Sequence, residues 1–109
     1  MTFKDKYCAY ENCEWSARQY GNGNLALQVV NNEGVVCTCT VNPGERVDAG
    51  RIAIKDYSEN EGMVDTLLEM GIIQGKPVYS IPSGWVQIPV YDLTAKGLSL
   101  WGLERLSAK

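Results

Sequence analysis

Apolar residues recur at two periods along this chain, and each change of period marks an element. Leu25, Leu27 and Val29 alternate with Ala26, Gln28 and Val30, a period of two that predicts a strand. Val35 to Val41 repeats the pattern, with Val35, Cys37, Cys39 and Val41 expected on one face and Val36, Thr38 and Thr40 on the other. Ahead of both, Glu14 to Tyr20 alternates weakly and stops at the turn cluster Gly21-Asn22-Gly23-Asn24. Asn31-Asn32-Glu33-Gly34 separates the second run from the third. Three such runs in succession predict a β-meander. Asn42-Pro43-Gly44 then turns the chain into a polar loop over 43–50, and Arg51 to Lys55 predicts a short strand with Ile52 and Ile54 on one side.

The period then lengthens. Met63, Val64, Leu67, Leu68 and Met70 fall at helical spacing, Ser58 and Glu61 stand as in a capping box, and Gly71 sits where a left-handed C-cap belongs. A helix over 59–70 is expected. Val78 to Ile81 and Trp85 to Asp92 follow as a hairpin turned at Pro82-Ser83-Gly84, with Val86, Ile88 and Val90 on the core face. Pro89 has no N–H to give a ladder, so its strand is expected at a sheet edge or at a bulge. Leu98, Trp101 and Leu106 are spaced as a short C-terminal helix interrupted by Gly97 and Gly102. The expected fold class is α+β: a mostly antiparallel sheet of about five to six strands, one main helix packed on a face, and a short C-terminal helix.

At 109 residues the chain is read as one domain, 1–109, large enough to fold without staples. Its apolar runs are too short to span a bilayer and its start lacks an apolar signal core, so a cytoplasmic location is expected. The net charge of −3 argues against direct binding to a nucleic-acid backbone and points to basic surfaces on other proteins. There is no histidine, which removes the commonest general base, the commonest zinc ligand and every histidine-dependent triad. The chain is read as non-enzymatic.

Cys8, Cys13, Cys37 and Cys39 form C-x4-C and C-x-C pairs. Zinc knuckles favour C-x2-C on turns, whereas Cys37 and Cys39 fall on a predicted strand. They are read as small core residues, with no metal and no cofactor expected. From Asp56 to Gly75 there are five carboxylates and no Lys or Arg. Within that run Glu61, Asp65 and Glu69 fall at i, i+4, i+8, roughly 6 Å apart along one helix face. Such a row can imitate a phosphate backbone or be a plain solvated face. Trp85 and Tyr91 fall on the strand face opposite Val86, Ile88 and Val90, an exposed aromatic patch if that face is open and a second core layer if it is covered.

The run Lys55 to Met63, then Leu67-Leu68, Gly71-Ile72-Ile73, Pro82-Ser83-Gly84 and Val86-Gln87-Ile88-Pro89-Val90, resembles a family of small bacterial proteins, domain of unknown function 4313. The likeness covers residues 50–93. It implies cargo of plasmids, conjugative transposons and phages of Firmicutes, and carries no activity to transfer. With the acidic composition, it leads to the expectation of a mobile-element protein that inhibits a host nucleic-acid-targeting defence complex, a Cas9-type effector being the most specific target. Glu61, Asp65 and Glu69 would face the basic channel of that ribonucleoprotein while Trp85 or Tyr91 anchors beside them. The alternative is a regulatory or structural module of the element, homodimeric through the Pro89 strand edge.

Overall fold

The three alternating runs form an antiparallel meander, its third strand shorter than the Val35 to Val41 read from the sequence. In the computed structural model, which describes residues 1–4, 9–103 and 105, a two-stranded ribbon of β1 (Phe3–Lys4) and β2 (Ala9–Tyr10) precedes it. Then β3 (Glu14–Gln19), β4 (Leu25–Asn31) and β5 (Gly34–Thr38) pair antiparallel in the order β3-β4-β5. The two faces assigned to β5 do not survive. Val30 pairs with Val35 but Val29 pairs with Cys37, so Val36 is an extra residue. One extra residue reverses the parity of everything before it, and Val35 is exposed while Cys39 is buried.

A third sheet joins β6 (Arg51–Ala53), β7 (Ile73–Ser83) and β8 (Val86–Leu93) in the order β6-β8-β7. The strand that carries Pro89 is therefore central, not an edge. A central proline is tolerated because β6 ends beside it. The Pro89 carbonyl accepts the Ile54 N–H at 3.0 Å, and only the return bond is lost. Gly84 and Trp85 form the two-residue turn of the β7–β8 hairpin, with Gly84 first at φ +60°. That is the conformation glycine supplies in a type II′ turn.

The expected main helix is much shorter than 59–70. A 3-10 turn (Ser58–Asn60) comes first, and α1 spans only Met63–Glu69. Gly62, at φ +94°, interrupts what sequence spacing joins. The Ser58–Glu61 capping box does not form: Ser58 itself lies at φ +58°, and Asp56 Oδ1 accepts the Gly62 N–H at 2.7 Å instead. The C-terminus is as read. Gly71 adopts φ +74°, the Ile72 N–H reaches the Leu67 carbonyl and the Gly71 N–H the Leu68 carbonyl, which is a Schellman motif.

Directly beyond β8, α2 (Ala95–Ser99) is capped by Thr94, whose Oγ1 accepts the Gly97 N–H at 2.9 Å. The same hydroxyl donates to the Gly71 carbonyl at 2.5 Å, so one side chain starts α2 and locks the end of α1. Gly97 lies so close to the Ile72 carbonyl that a Cβ would stand 2.3 Å from its oxygen. Leu98 is buried and Trp101 half-buried, its Nε1 donating to the Arg18 carbonyl; the expected Leu106 falls outside the described residues. Among the described residues 46% are strand and 16% helix, in three small sheets and two short helices, so the fold is mostly β rather than α+β with a main helix on one face.

Two cores flank the third sheet. The larger unites Leu25, Leu27, Val29 and Cys39 of the meander side with Met63, Leu67, Leu98, Ile52, Ile54, Tyr91 and Leu93. The smaller holds Ala53, Ile81, Ile88 and Val90 with Val47. Val47 comes from the loop read as polar, and Asn24 positions it. The buried Asn24 amide accepts the Val47 N–H at 2.8 Å and donates to the Glu45 carbonyl at 2.7 Å and to Asn42 Oδ1.

Residues 39–41 stitch the meander to the third sheet. The Cys39 N–H donates to the Leu27 carbonyl, and the Leu27 N–H is taken by Thr40 Oγ1 at 3.1 Å. The Cys39 carbonyl is thereby left for the Lys55 N–H, and the Val41 N–H reaches the Ala53 carbonyl. Replacing Thr40 by Val keeps the shape and strands the Leu27 N–H in the core, a loss of about 1–3 kcal/mol. Urea denaturation should show that loss for Thr40→Val and a smaller one for Thr40→Ser, which keeps the hydroxyl.

Candidate functional site

The acidic row and the aromatic pair are both rearranged by the fold. Glu61, Asp65 and Glu69 are all exposed, but only Asp65 and Glu69 lie on α1. Glu61 follows the 3-10 turn in extended conformation, at φ −52° and ψ 128°. The three do not stack at i, i+4, i+8 on one helix. They form an acidic shoulder that wraps from the approach to α1 onto its outer face.

Two other acids of the run are already engaged. Asp56 caps Gly62. Glu59 bonds the ammonium of Lys55, four residues earlier, and Lys55 also lies over the Tyr57 ring. The Lys55 hydrogen bond, followed by Glu59's own backbone N–H and the Ser58 hydroxyl, holds the Glu59 carboxyl down to about 2. Lys96 closes the far end of α1, its Nζ bonded to the Met70 carbonyl at 2.9 Å, where a cation meets the negative end of the helix. The i, i+4 spacing of Lys55 and Glu59 was visible in the sequence; the approach of Lys96 was not, because it depends on how α2 docks.

Trp85 and Tyr91 part company. Trp85 sits in the hairpin turn and is fully exposed, its relative accessibility 104%. Tyr91 is buried in the larger core, in register with Ile52 of β6. Burial, then the charges of Asp56 and Asp65, push its phenol above the usual tyrosine range. The expectation that Tyr91 presents an open aromatic face is therefore corrected: the face is covered by α1 and the meander. Six residues of near-extended chain separate the two rings' backbones, roughly 20 Å, so Trp85 marks a surface distinct from the acidic shoulder beside Tyr91.

On the cysteines, Cys13 and Cys39 are buried and Cys37 is half-buried; Cys8 lies outside the described residues. No group of three or more Cys, Asp or Glu side chains placed to hold a metal ion occurs among the described residues. Among the same residues, no helix is long and apolar enough to cross a membrane. A cleft of about 460 Å³ that the sequence did not announce opens between β5 and the 55–60 segment, lined by Tyr10, Cys37, Thr38, Lys55, Glu59 and Asn60 among others.

No family model, curated protein or solved structure matches this chain. The resemblance drawn over residues 50–93 stands on those residues alone.

The depressed Glu59 carboxyl has a pH consequence. Its folded value lies below the ordinary 4.5, so the Lys55–Glu59 contact stabilises fully above pH 4.5 and is lost as pH falls toward 2. Glu59→Gln should lower the melting temperature by a constant amount above pH 4.5 and flatten its fall across the window below. An unaltered slope below pH 4.5 would show that the pair makes no net contribution, as exposed pairs often do not.

Proposed function

We propose that this protein is a non-enzymatic binder that occludes a basic, nucleic-acid-handling surface of a host defence complex, with a Cas9-type ribonucleoprotein as its most specific target. The observation that carries the reading is the bare Trp85 indole, held out at the tip of a tight hairpin. Tryptophan is enriched among the residues that dominate binding energy, and it is seldom left wholly in water. Glu61, Asp65 and Glu69, all exposed, supply the complementary charge.

The two surfaces act separately rather than as one patch. A target the size of a ribonucleoprotein spans both: the acids lie against cationic walls that hold a heteroduplex, and Trp85 inserts into an apolar pocket beyond them. The acidic contact governs encounter rate and salt dependence, whereas the indole governs dissociation.

Binding to a purified Cas9–guide RNA complex, measured by calorimetry at two salt concentrations and by DNA cleavage, tests this. Trp85→Ala should weaken affinity by about 30-fold, the equivalent of about 2 kcal/mol. Joint Glu61→Lys, Asp65→Lys and Glu69→Lys replacement should abolish inhibition. Full inhibition by that triple variant sinks the acidic mechanism. The regulatory-module alternative has lost the Pro89 edge, and a stable dimer in solution with no binding to the effector would revive it by another surface.

A further inference from the structure

Arg46 is held in place from both sides by one buried amide. The Asn24 side chain accepts the Val47 N–H at 2.8 Å and donates to the Glu45 carbonyl at 2.7 Å. These are the residues directly after and before Arg46, and Val47 is itself buried in the smaller core. The loop therefore has little freedom where it projects the guanidinium. Gly23 makes room for that group, since a Cβ there would stand 3.1 Å from Arg46 Nη1.

A second arginine reaches the same place from the far end of the chain. Trp101 Nε1 donates to the Arg18 carbonyl, and the Gly102 and Leu103 N–H groups close α2 on the Ser99 and Leu98 carbonyls. Those bonds fix the backbone that carries Leu103, and Arg105 follows two residues later. A cleft of about 260 Å³ opens between the two arginines, with Leu25, Val47 and Leu103 as its apolar floor. Neither guanidinium enters an ion pair or hydrogen bond among the described residues. The Asp48 carboxylate, also on the lining, is bonded to Arg51 at 2.7 Å. In a chain of net charge −3, this concavity is a local excess of positive charge.

Two planar forks of donors call for a ligand with several oxygens and more than one negative charge. A phosphate monoester has three terminal oxygens and about −1.5 to −2 charges at pH 7, whereas a carboxylate has one charge. The apolar floor calls for a hydrophobic group beside the phosphoryl. A cavity of roughly 150 Å³ holds benzene, so this one takes a ring together with its phosphoryl group. We propose that the cleft binds a small organic phosphate monoester, its phosphoryl group held by Arg46 and Arg105 and its apolar body on Leu25, Val47 and Leu103. Glu61, Asp65, Glu69 and Trp85 do not line it, so the site is independent of any contact those residues make.

Phenyl phosphate titrated into nitrogen-15-labelled protein, at neutral pH and physiological salt, tests the site. Saturable amide shifts are expected at Gly23, Arg46, Val47, Leu103 and Arg105. Arg46→Gln and Arg105→Gln should each weaken binding by about tenfold, because each removes a charge-assisted contact. Both side chains are exposed, so the variants keep the fold, and the rest of the amide spectrum verifies it. Arg46→Lys should recover only part of the affinity, since an ammonium lacks the fork. Inorganic phosphate, which cannot use the floor, and benzoate, with its single charge, should each bind about tenfold more weakly. Shifts that scatter over the surface or fail to saturate would overturn the site, as would full affinity in either glutamine variant. Equal affinity for inorganic phosphate would overturn the role of the apolar floor. A single-stranded oligonucleotide that displaces phenyl phosphate from the same amides at far lower concentration would overturn the small-molecule assignment.

Discussion

The fold turns on a single exchange of hydrogen-bond acceptors at Thr40. In an ordinary antiparallel pair the Cys39 N–H bond to Leu27 would be returned by Leu27 to the Cys39 carbonyl. Here the Thr40 hydroxyl takes the Leu27 N–H, with Tyr20 OH beside it at 3.1 Å. The Cys39 carbonyl is released to the Lys55 N–H, and the strand passes from the meander to β6 without an orphaned donor. Every buried side-chain polar atom among the described residues has a partner, which is the condition for so many short strands to coexist. Both cores follow from this exchange, because it fixes β6 between the meander and β8.

What was legible in the sequence was local. The three alternating runs and the Gly71 Schellman motif each depend on a few neighbouring residues, and each formed. The failures share another cause. Val36 as a bulge, Pro89 in a central strand and Thr40 as a surrogate carbonyl are settled by partners far along the chain, and periodicity does not encode them. Ser58-x-x-Glu61 is a local signal that lost. Gly62 adopts φ +94°, Asp56 supplies a better acceptor for its N–H, and the helix starts only at Met63. Among the candidate site residues, exposure of the three acids was legible from composition, whereas the burial of Tyr91 required knowing that its face of β8 joins the larger core.

The irregularity in β7 lies opposite Tyr91. Gln74 pairs with Asp92 and Tyr79 with Val90, so residues 75–78 loop out opposite Tyr91 alone. That loop carries Gly75 at φ +77°, Lys76, Pro77 and Val78 to the surface. Tyr91 itself lies on the face of β8 that joins Ile52, Leu67 and Leu93 in the larger core. The strand read over Val78 to Ile81 is therefore the second part of a longer β7, whose first part pairs at Ile73 and Gln74.

The same segment bears on how a partner would engage the molecule. β7 is an outer strand, and outer strands invite pairing with another chain. This one is blunted: Pro77 and Pro82 lack N–H groups, Lys76 would bring a charge into any added strand, and the looped residues break the ladder's regular edge. Strand addition is therefore disfavoured along the very edge that topology leaves open. The tip is treated differently. Nothing shields Trp85, although a two-residue turn would accept Asn or Ser there at no structural cost. A chain that guards its backbone edge and leaves an indole bare presents a side-chain contact rather than a sheet-forming one. That is the type of surface that fills a pocket on a folded partner.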